Sequence, residues 1–340
     1  DASYAFGVLF PFITDPPIDA GITPFHLDLG LRKWTQELRL ASPSGGRFEW
    51  MIGGFYTDEK TSNAQLVHSY DMDGNLIASL DPLATVGLPA TYKEYAVFGN
   101  GTFKFSDRFE ITAGLRWARN EQTFRQISSG AIVPQADDPG SSAESVWTFS
   151  VSPQFHINKD AMLYGRVATG YRPGGPNVIV PNVPPTVSAD RMTNYEVGLK
   201  ADLADRMVTV DVAAFWMDWT DIQVVRSFGG VNGGANGGKA TSKGFEGSIA
   251  FRPAPGLTIS ATGSYTDASL SEDVPEISGA KGDRLPAVPK FSGALRADYD
   301  FALGGNAKGS FGAGIRHASS RLSLVESDPL TARAEPYTSV

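Results

Sequence analysis

The 340-residue chain has no cysteine, which rules out a disulfide framework, a thiolate metal site and a cysteine nucleophile. It has no uninterrupted apolar run of about 18 residues, so a transmembrane helix is excluded and a β-barrel is the one structure left that could span a bilayer. Basic residues are in the minority, 29 Lys and Arg against 37 Asp and Glu, and the net charge of -8 disfavours nucleic acid, whose phosphates call for a basic patch. The four histidines, His26, His68, His156 and His317, form no sequence pair at metal-ligand spacing, so neither a zinc nor a haem-iron site is supported. There is no Gly-x-Ser-x-Gly elbow and no His-Glu-x-x-His, and carboxylates are scattered over many segments. The expectation is a chain that is not an enzyme and that needs neither cofactor nor metal.

What is present is a rhythm. Stretches of alternating apolar and polar residues are joined in turn by a short connector and a long one. The short connectors are Ser42 to Gly46, Ser106 to Arg108, Ile157 to Asp160, Ala204 to Arg206, Pro253 to Gly256 and Leu303 to Asn306; the long ones run near Thr61 to Ala90, Ile127 to Ala143, Arg172 to Asp190, Ser227 to Gly238 and Ser269 to Ala287. Tight turns at one end and long loops at the other describe an antiparallel up-and-down transmembrane β-barrel with short periplasmic turns and long extracellular loops.

The alternation assigns faces, because successive side chains of a strand point to opposite sides. Tyr195, Val197, Leu199, Ala201 and Leu203 share one side, with Asn194, Glu196, Lys200 and Asp202 on the other; Phe291, Leu295, Ala297, Tyr299 and Phe301 oppose Ser292, Arg296, Asp298 and Asp300 in the same way. A side carrying repeated charges is unsuited to lipid or to a sandwich core, and suits a watery lumen. Many segments also exceed the roughly 9 to 11 residues that a tilted strand needs to cross the hydrocarbon. Phe103, Phe105, Phe109, Trp147, Phe155 and Tyr171 stand near strand ends, as interfacial girdles require. No break in the rhythm marks a domain boundary, so residues 1–340 read as a single domain of about twelve strands. The start at Asp1 without a signal peptide, and the strand-like Glu335 to Val340, lead us to expect a piece of a longer chain.

Several strings then carry a family resemblance. Gly170 to Asn177 (GYRPGGPN) followed by Asn194 to Lys200 (NYEVGLK), Phe215 to Ile222 (FWMDWTDI), Ser242 to Glu246 (SKGFE) and Leu285 to Lys290 (LPAVPK) resemble, in order and spacing, the barrel of TonB-dependent outer-membrane receptors; Gln36 to Leu40 and Thr112 to Trp117 fit the same pattern. The resemblance implies part of a 22-stranded barrel that encloses an N-terminal plug, with the plug, its TonB box and the signal peptide outside this chain. It also implies a monomer in the outer membrane of a Gram-negative bacterium that takes up a scarce large nutrient, most often a ferric siderophore, energised through TonB and its inner-membrane complex. A passive porin and a soluble carbohydrate-binding β-protein are the alternative readings.

Ligand candidates are Tyr171, Arg172 and Asn177, where a strand enters a long loop, and Arg116, Arg166, Lys200, Arg296 and Arg316, which alternation places in the lumen. Aromatic and cationic groups suit large anionic chelates; for each residue a lumenal ion pair or a turn role is the competing explanation. Asp71 to Asn75 (DMDGN) misses the spacing of an EF-hand calcium loop and reads as a hairpin turn between Ser69-Tyr70 and Leu76-Ile77. The Gly229 to Gly238 run lacks the strand-to-helix setting of a phosphate cradle and reads as a loop tip.

Overall fold

The computed structural model describes residues 2–4, 22–179, 182–228, 231–305 and 307–340. Twelve long strands dominate: β1 (Thr23–Ala41), β2 (Phe48–Val67), β3 (Ala90–Ser106), β4 (Phe109–Ser129), β5 (Ala136–Asn158), β6 (Ala161–Arg172), β7 (Asp190–Leu203), β8 (Val208–Thr220), β9 (Lys239–Ala254), β10 (Leu257–Leu270), β11 (Phe291–Gly304) and β12 (Ala307–Ala318). Each pairs antiparallel with its sequence neighbour. Ala2–Tyr4, Ala84–Gly87 and Tyr337–Ser339 bring the sheet to 15 strands, in an up-and-down order. The strand expected after Glu335 is therefore present, paired with β12.

The short connectors fall where the sequence puts them, Asn306 of the last lying outside the described residues, and four are tightened by a register shift in the last residues of the ladder. Between β7 and β8 the turn is made by Ala204, Asp205 and Arg206, all three with positive φ (51°, 53° and 65°). The long connectors differ from expectation in two places. The stretch Ile127 to Ala143 is largely strand: β4 and β5 run in register up to Ser128↔Ala136. The stretch from Ser227 to Gly238 is mostly one arm of a hairpin, Gln223–Phe228 against Val231–Asn236, whose tip lies outside the described residues. Tyr70 bridges Leu76 across the Asp71 to Asn75 turn, as expected.

The register confirms the two faces. Leu40, Ile52, Gly99, Leu115 and Phe149 form one cross-strand row, and Leu38, Gly54, Val97, Trp117 and Trp147 the next on the same side. This apolar side is bare: Leu38 is 76% and Trp147 62% exposed, and contiguous rows of such side chains form an apolar surface of the kind that faces lipid. Rings edge the apolar band. Trp34, Tyr56 and Tyr95 meet at 5.5 and 5.0 Å toward the long connectors; Phe103, Phe105 and Phe109 meet at 4.8 and 5.5 Å toward the short ones. Phe245 stacks on Tyr265 at one level, and Tyr299, Phe301 and Phe311 cluster at the other. Phe291 and Tyr299 are eight residues apart on β11, about 27 Å along a strand at roughly 3.4 Å per residue, which a tilt of about 40° reduces to a height comparable with the apolar band of such barrels.

β1 changes sides. Leu27, Leu29 and Leu31 share a parity opposite to that of Trp34, Leu38 and Leu40, so beyond the Trp34 level the outward face is polar. Buried hydrophobic clusters lie outside the band as well. Ile222, Ala240, Leu270, Val274 and Val325 pack together with Trp219, Ile277 and Leu285 where the long connectors gather. Beneath them Asp283, 8% exposed, accepts bonds from Ala280 N (3.0 Å), Ser327 N (3.0 Å) and the Ser327 hydroxyl (2.9 Å). Burial pushes the Asp283 carboxyl up, but these bonds outweigh it and hold it below the usual carboxylate range.

Candidate functional site

The polar face is the one across which the long connectors fold. From the end of β6 at Arg172, residues 173–179 and 182–189 lie toward β4, β5 and the hairpin of Gln223–Phe228 and Val231–Asn236, and polar side chains stitch them down. Three amides each make a two-way pair with one backbone unit. Gln126 donates to Ile179 O (3.1 Å) and accepts from Ile179 N (3.0 Å). Asn177 does the same with Gly234 (2.7 and 2.9 Å), and Asn236 with Ser188 (2.9 and 2.7 Å). Glu144 accepts from Gly174 N (2.6 Å) and Ala189 N (3.2 Å), closing both ends of the segment, and the Gln122 amide donates to Gly174 O. Only glycine fits at 174, because a Cβ there would strike the Val187 carbonyl.

Arg172 is held at the root of this loop. Its guanidinium reaches Asp190 Oδ2 at 2.6 Å and Gln223 O at 3.1 Å and lies 5.9 Å from the Trp219 ring; Asp190 is 3% exposed. Asn177 is buried at 6%. Tyr171 does not join the outer girdle: its hydroxyl accepts from Asn120 Nδ2 at 3.2 Å, on the inner side of β4, where ordered pairing between β5 and β6 stops at Ser150↔Ala168. Each of the three loop-root candidates is thus bound to a different element at the mouth, Tyr171 to β4, Arg172 to Asp190 and Gln223, and Asn177 to Gly234.

Below the loop, the lumenal wall is lined by ion pairs. Arg116 pairs with Glu94 and sits 5.3 and 5.7 Å from the Phe55 and Phe98 rings. The Tyr92 hydroxyl stands 2.7 Å from Glu94 and 2.8 Å from Asn120, so its single proton serves one at a time. Across the sheet, Lys200 pairs with Asp211 at 2.7 Å and lies 5.9 Å from the Tyr164 ring. The Tyr164 hydroxyl donates to Glu196 at 2.8 Å, and its ring lies over Gly198, where a Cβ would come within 2.5 Å of it. Arg296 pairs with Asp298 at 2.7 Å. Arg166 and Arg316 make no ion pair among the described residues, and Arg316 lines a lumenal recess of about 710 Å³ with Tyr164, Lys200, Asp211, Glu246 and Thr262.

Arg116, Lys200 and Arg296 are thus paired with carboxylates, while Arg166 stands opposite Glu196 in the register without an ion pair among the described residues and Arg316 faces the recess. The structure does bring two of the histidines together, His26 and His68, with ring centroids 5.6 Å apart, but no group of three or more potential metal ligands exists among the described residues. Gln122, Gln126, Glu144, Gln223 and Asn236 carry the loop anchoring and escaped the sequence reading. Their partners in the loop that follows β6 lie 30 to 53 residues away, and a lone amide in a strand carries no signal of its target.

Comparison with known proteins agrees with this geometry. The family model described as TonB dependent receptor-like, beta-barrel matches residues 10–340. The pesticin receptor of Yersinia enterocolitica serotype O:8 is 27% identical over 266 residues, 76% of this chain and 37% of that protein. The crystal structure of the ferric yersiniabactin uptake receptor FyuA from Yersinia pestis superposes with a TM-score of 0.77 at 20% identity, covering 93% of this chain and 46% of that one. The siderophore receptor PiuA from Acinetobacter baumannii gives 0.69 at 16% identity, with 94% and 50% covered. The chain thus spans between about a third and a half of the length of these relatives. With its bare apolar belt, its ion-paired polar face and a match along nearly its whole length, this chain belongs to the TonB-dependent receptor-like β-barrel family, whose members are receptors and transporters rather than enzymes.

Proposed function

We propose that this chain is the barrel portion of an outer-membrane receptor that imports a large metal chelate, a ferric siderophore above all, with uptake energised through TonB and its inner-membrane complex. The observation that carries the reading is the mouth: a long loop stitched over a polar, charge-paired lumen at one end of a lipid-facing sheet. Such a mouth can present cations and rings to a bulky anion while the barrel stays rigid. The ferric yersiniabactin uptake receptor and the ferric citrate transporter FecA, structures of the same fold, support iron-type cargo. In this reading the protein works as a monomer, a plug contributed from outside residues 1–340 fills the lumen, and Arg166 and Arg316 are the wall residues that remain for cargo or plug.

The test is growth of an iron-starved Gram-negative host that lacks other chelate receptors and expresses the gene product carrying this chain. Growth on one class of ferric chelate, lost when the proton gradient or TonB is removed, is the expected result. Uptake that persists without TonB would favour a passive channel instead.

A further inference from the structure

Beyond the mouth, the outward face of β1 and β2 holds two cations where none is needed for folding. Arg32 and Lys60 are direct cross-strand partners, both exposed, on the same side as Trp34, Tyr56 and Leu38. Like charges directly opposite each other destabilise a sheet. Neither side chain has an ion-pair partner among the described residues; of the nearby carboxylates on that side, Glu121 is held by Arg119 at 2.8 Å, and Asp58 reaches Lys93 at 4.0 Å through Oδ2 with its Oδ1 buried and unpartnered. The same row continues through Thr91, Thr123 and Ser141. A depression of about 650 Å³ lined by Lys60, Thr91, Thr123, Ser141 and Arg125 opens beside the pair. Arg125 is itself held by Asp137.

The height of this patch identifies its partner. Arg32 is two residues beyond Trp34, the belt residue of β1, hence about 7 Å further along the strand and level with lipid headgroups rather than acyl chains. We infer that Arg32 and Lys60 clamp a phosphate of an anionic lipid headgroup in the outer leaflet, with the Thr91 hydroxyl, itself hydrogen-bonded to Thr123, next in the row. A bridging phosphate converts the repulsive pair into two charge-assisted contacts. The inference rests on the outer-membrane reading above but not on the cargo.

The experiment reconstitutes the protein in phosphatidylcholine vesicles containing diphosphorylated lipid A or its dephosphorylated form. Heat-dependent gel mobility reports insertion, and native mass spectrometry after gentle extraction counts retained lipid. Wild type should retain the diphosphorylated lipid at least tenfold more tightly than the dephosphorylated one, and the double variant Arg32→Gln/Lys60→Gln should lose that preference. Arg32→Glu gives Lys60 an opposite charge across the strand pair, so it should insert as well as wild type and lose the lipid nonetheless. Lys159→Gln, at the short-turn end, should behave as wild type. Retention by Arg32→Glu equal to wild type, or no preference for the phosphorylated form, overturns the clamp. Failure of the wild type to insert overturns the outer-membrane reading itself.

Discussion

Replacing Leu295 with arginine probes the assignment of faces where it is sharpest. Leu295 lies midway on β11 between Phe291 and Tyr299, four residues from each, so about 14 Å along the strand separates it from either belt. With the strands tilted by roughly 40°, that is about 10 Å of depth and places the side chain close to the midplane. It is 49% exposed, and its outward row contains Ala261 and Ile315, so no carboxylate stands beside it in that row to receive the charge. An arginine at the midplane of a lipid-facing strand costs about 2–4 kcal/mol, a factor of roughly 30 to 900 in the folding equilibrium. Thr262, one strand away on the polar side, pairs with Ser248 and Ala294; an arginine there would enter the polar recess that Thr262 lines, away from lipid, and should cost no more than about 1 kcal/mol. Urea titration of vesicle-inserted protein, followed by heat-dependent gel mobility, measures both. Equal costs at Leu295 and Thr262 would refute the facing, and a larger cost at Thr262 would invert it.

Removal of the Asn177 amide in Asn177→Ala leaves Gly234 N–H and C=O unpaired in a buried spot, about 1–3 kcal/mol; hydrogen exchange of residues 182–189 and 233–236 should accelerate about 5- to 150-fold, with β7 to β10 unchanged. Arg116→Ala strands the half-buried Glu94 and should destabilise by about 1–3 kcal/mol after allowance for solvent, whereas Arg116→Ala with Glu94→Gln should recover most of that loss in the same urea titration. Asp283 has a depressed folded value, so its contribution is complete above the unfolded carboxylate value of about 3.9 and fades as pH falls through the folded one. Protease resistance of residues 271–335 should therefore be flat from pH 7 to 5 and drop below about pH 4, and Asp283→Asn should remove the dependence. Since the chain has no cysteine, single Met72→Cys and Lys159→Cys variants report topology directly. An impermeant maleimide should label the first in intact cells and the second only after the outer membrane is opened.

The strands that cross the band were legible in the sequence because lipid on one side and water on the other impose a strict period of two, as in Tyr195 to Leu203. Past the aromatic belt that pressure disappears. Asp137, Asp138, Pro139 and Gly140 look like loop residues, yet they pair in register with Ile127, Gln126, Arg125 and Phe124; water on both sides permits a strand without alternation, and propensity misleads there. The change of face between Leu31 and Trp34 has the same cause. At the site, alternation sufficed to place Arg116, Arg166, Lys200, Arg296 and Arg316 in the lumen. It gave no hint that Asn177 would meet Gly234 or that Glu144 would close both ends of the 173–189 loop, since those contacts depend on how distant connectors converge.

The continuation of β4 and β5 beyond the membrane turns that hairpin into a mast. Its strands hold 21 and 23 residues, and its crown is braced where Ala131 N and Ile132 N bond to the carbonyls of Pro82 and Leu83. A foreign peptide grafted between Ser129 and Ala136 would thus be displayed from a stiff frame rather than a floppy tether, a useful position for an epitope or an affinity handle on the surface of living cells.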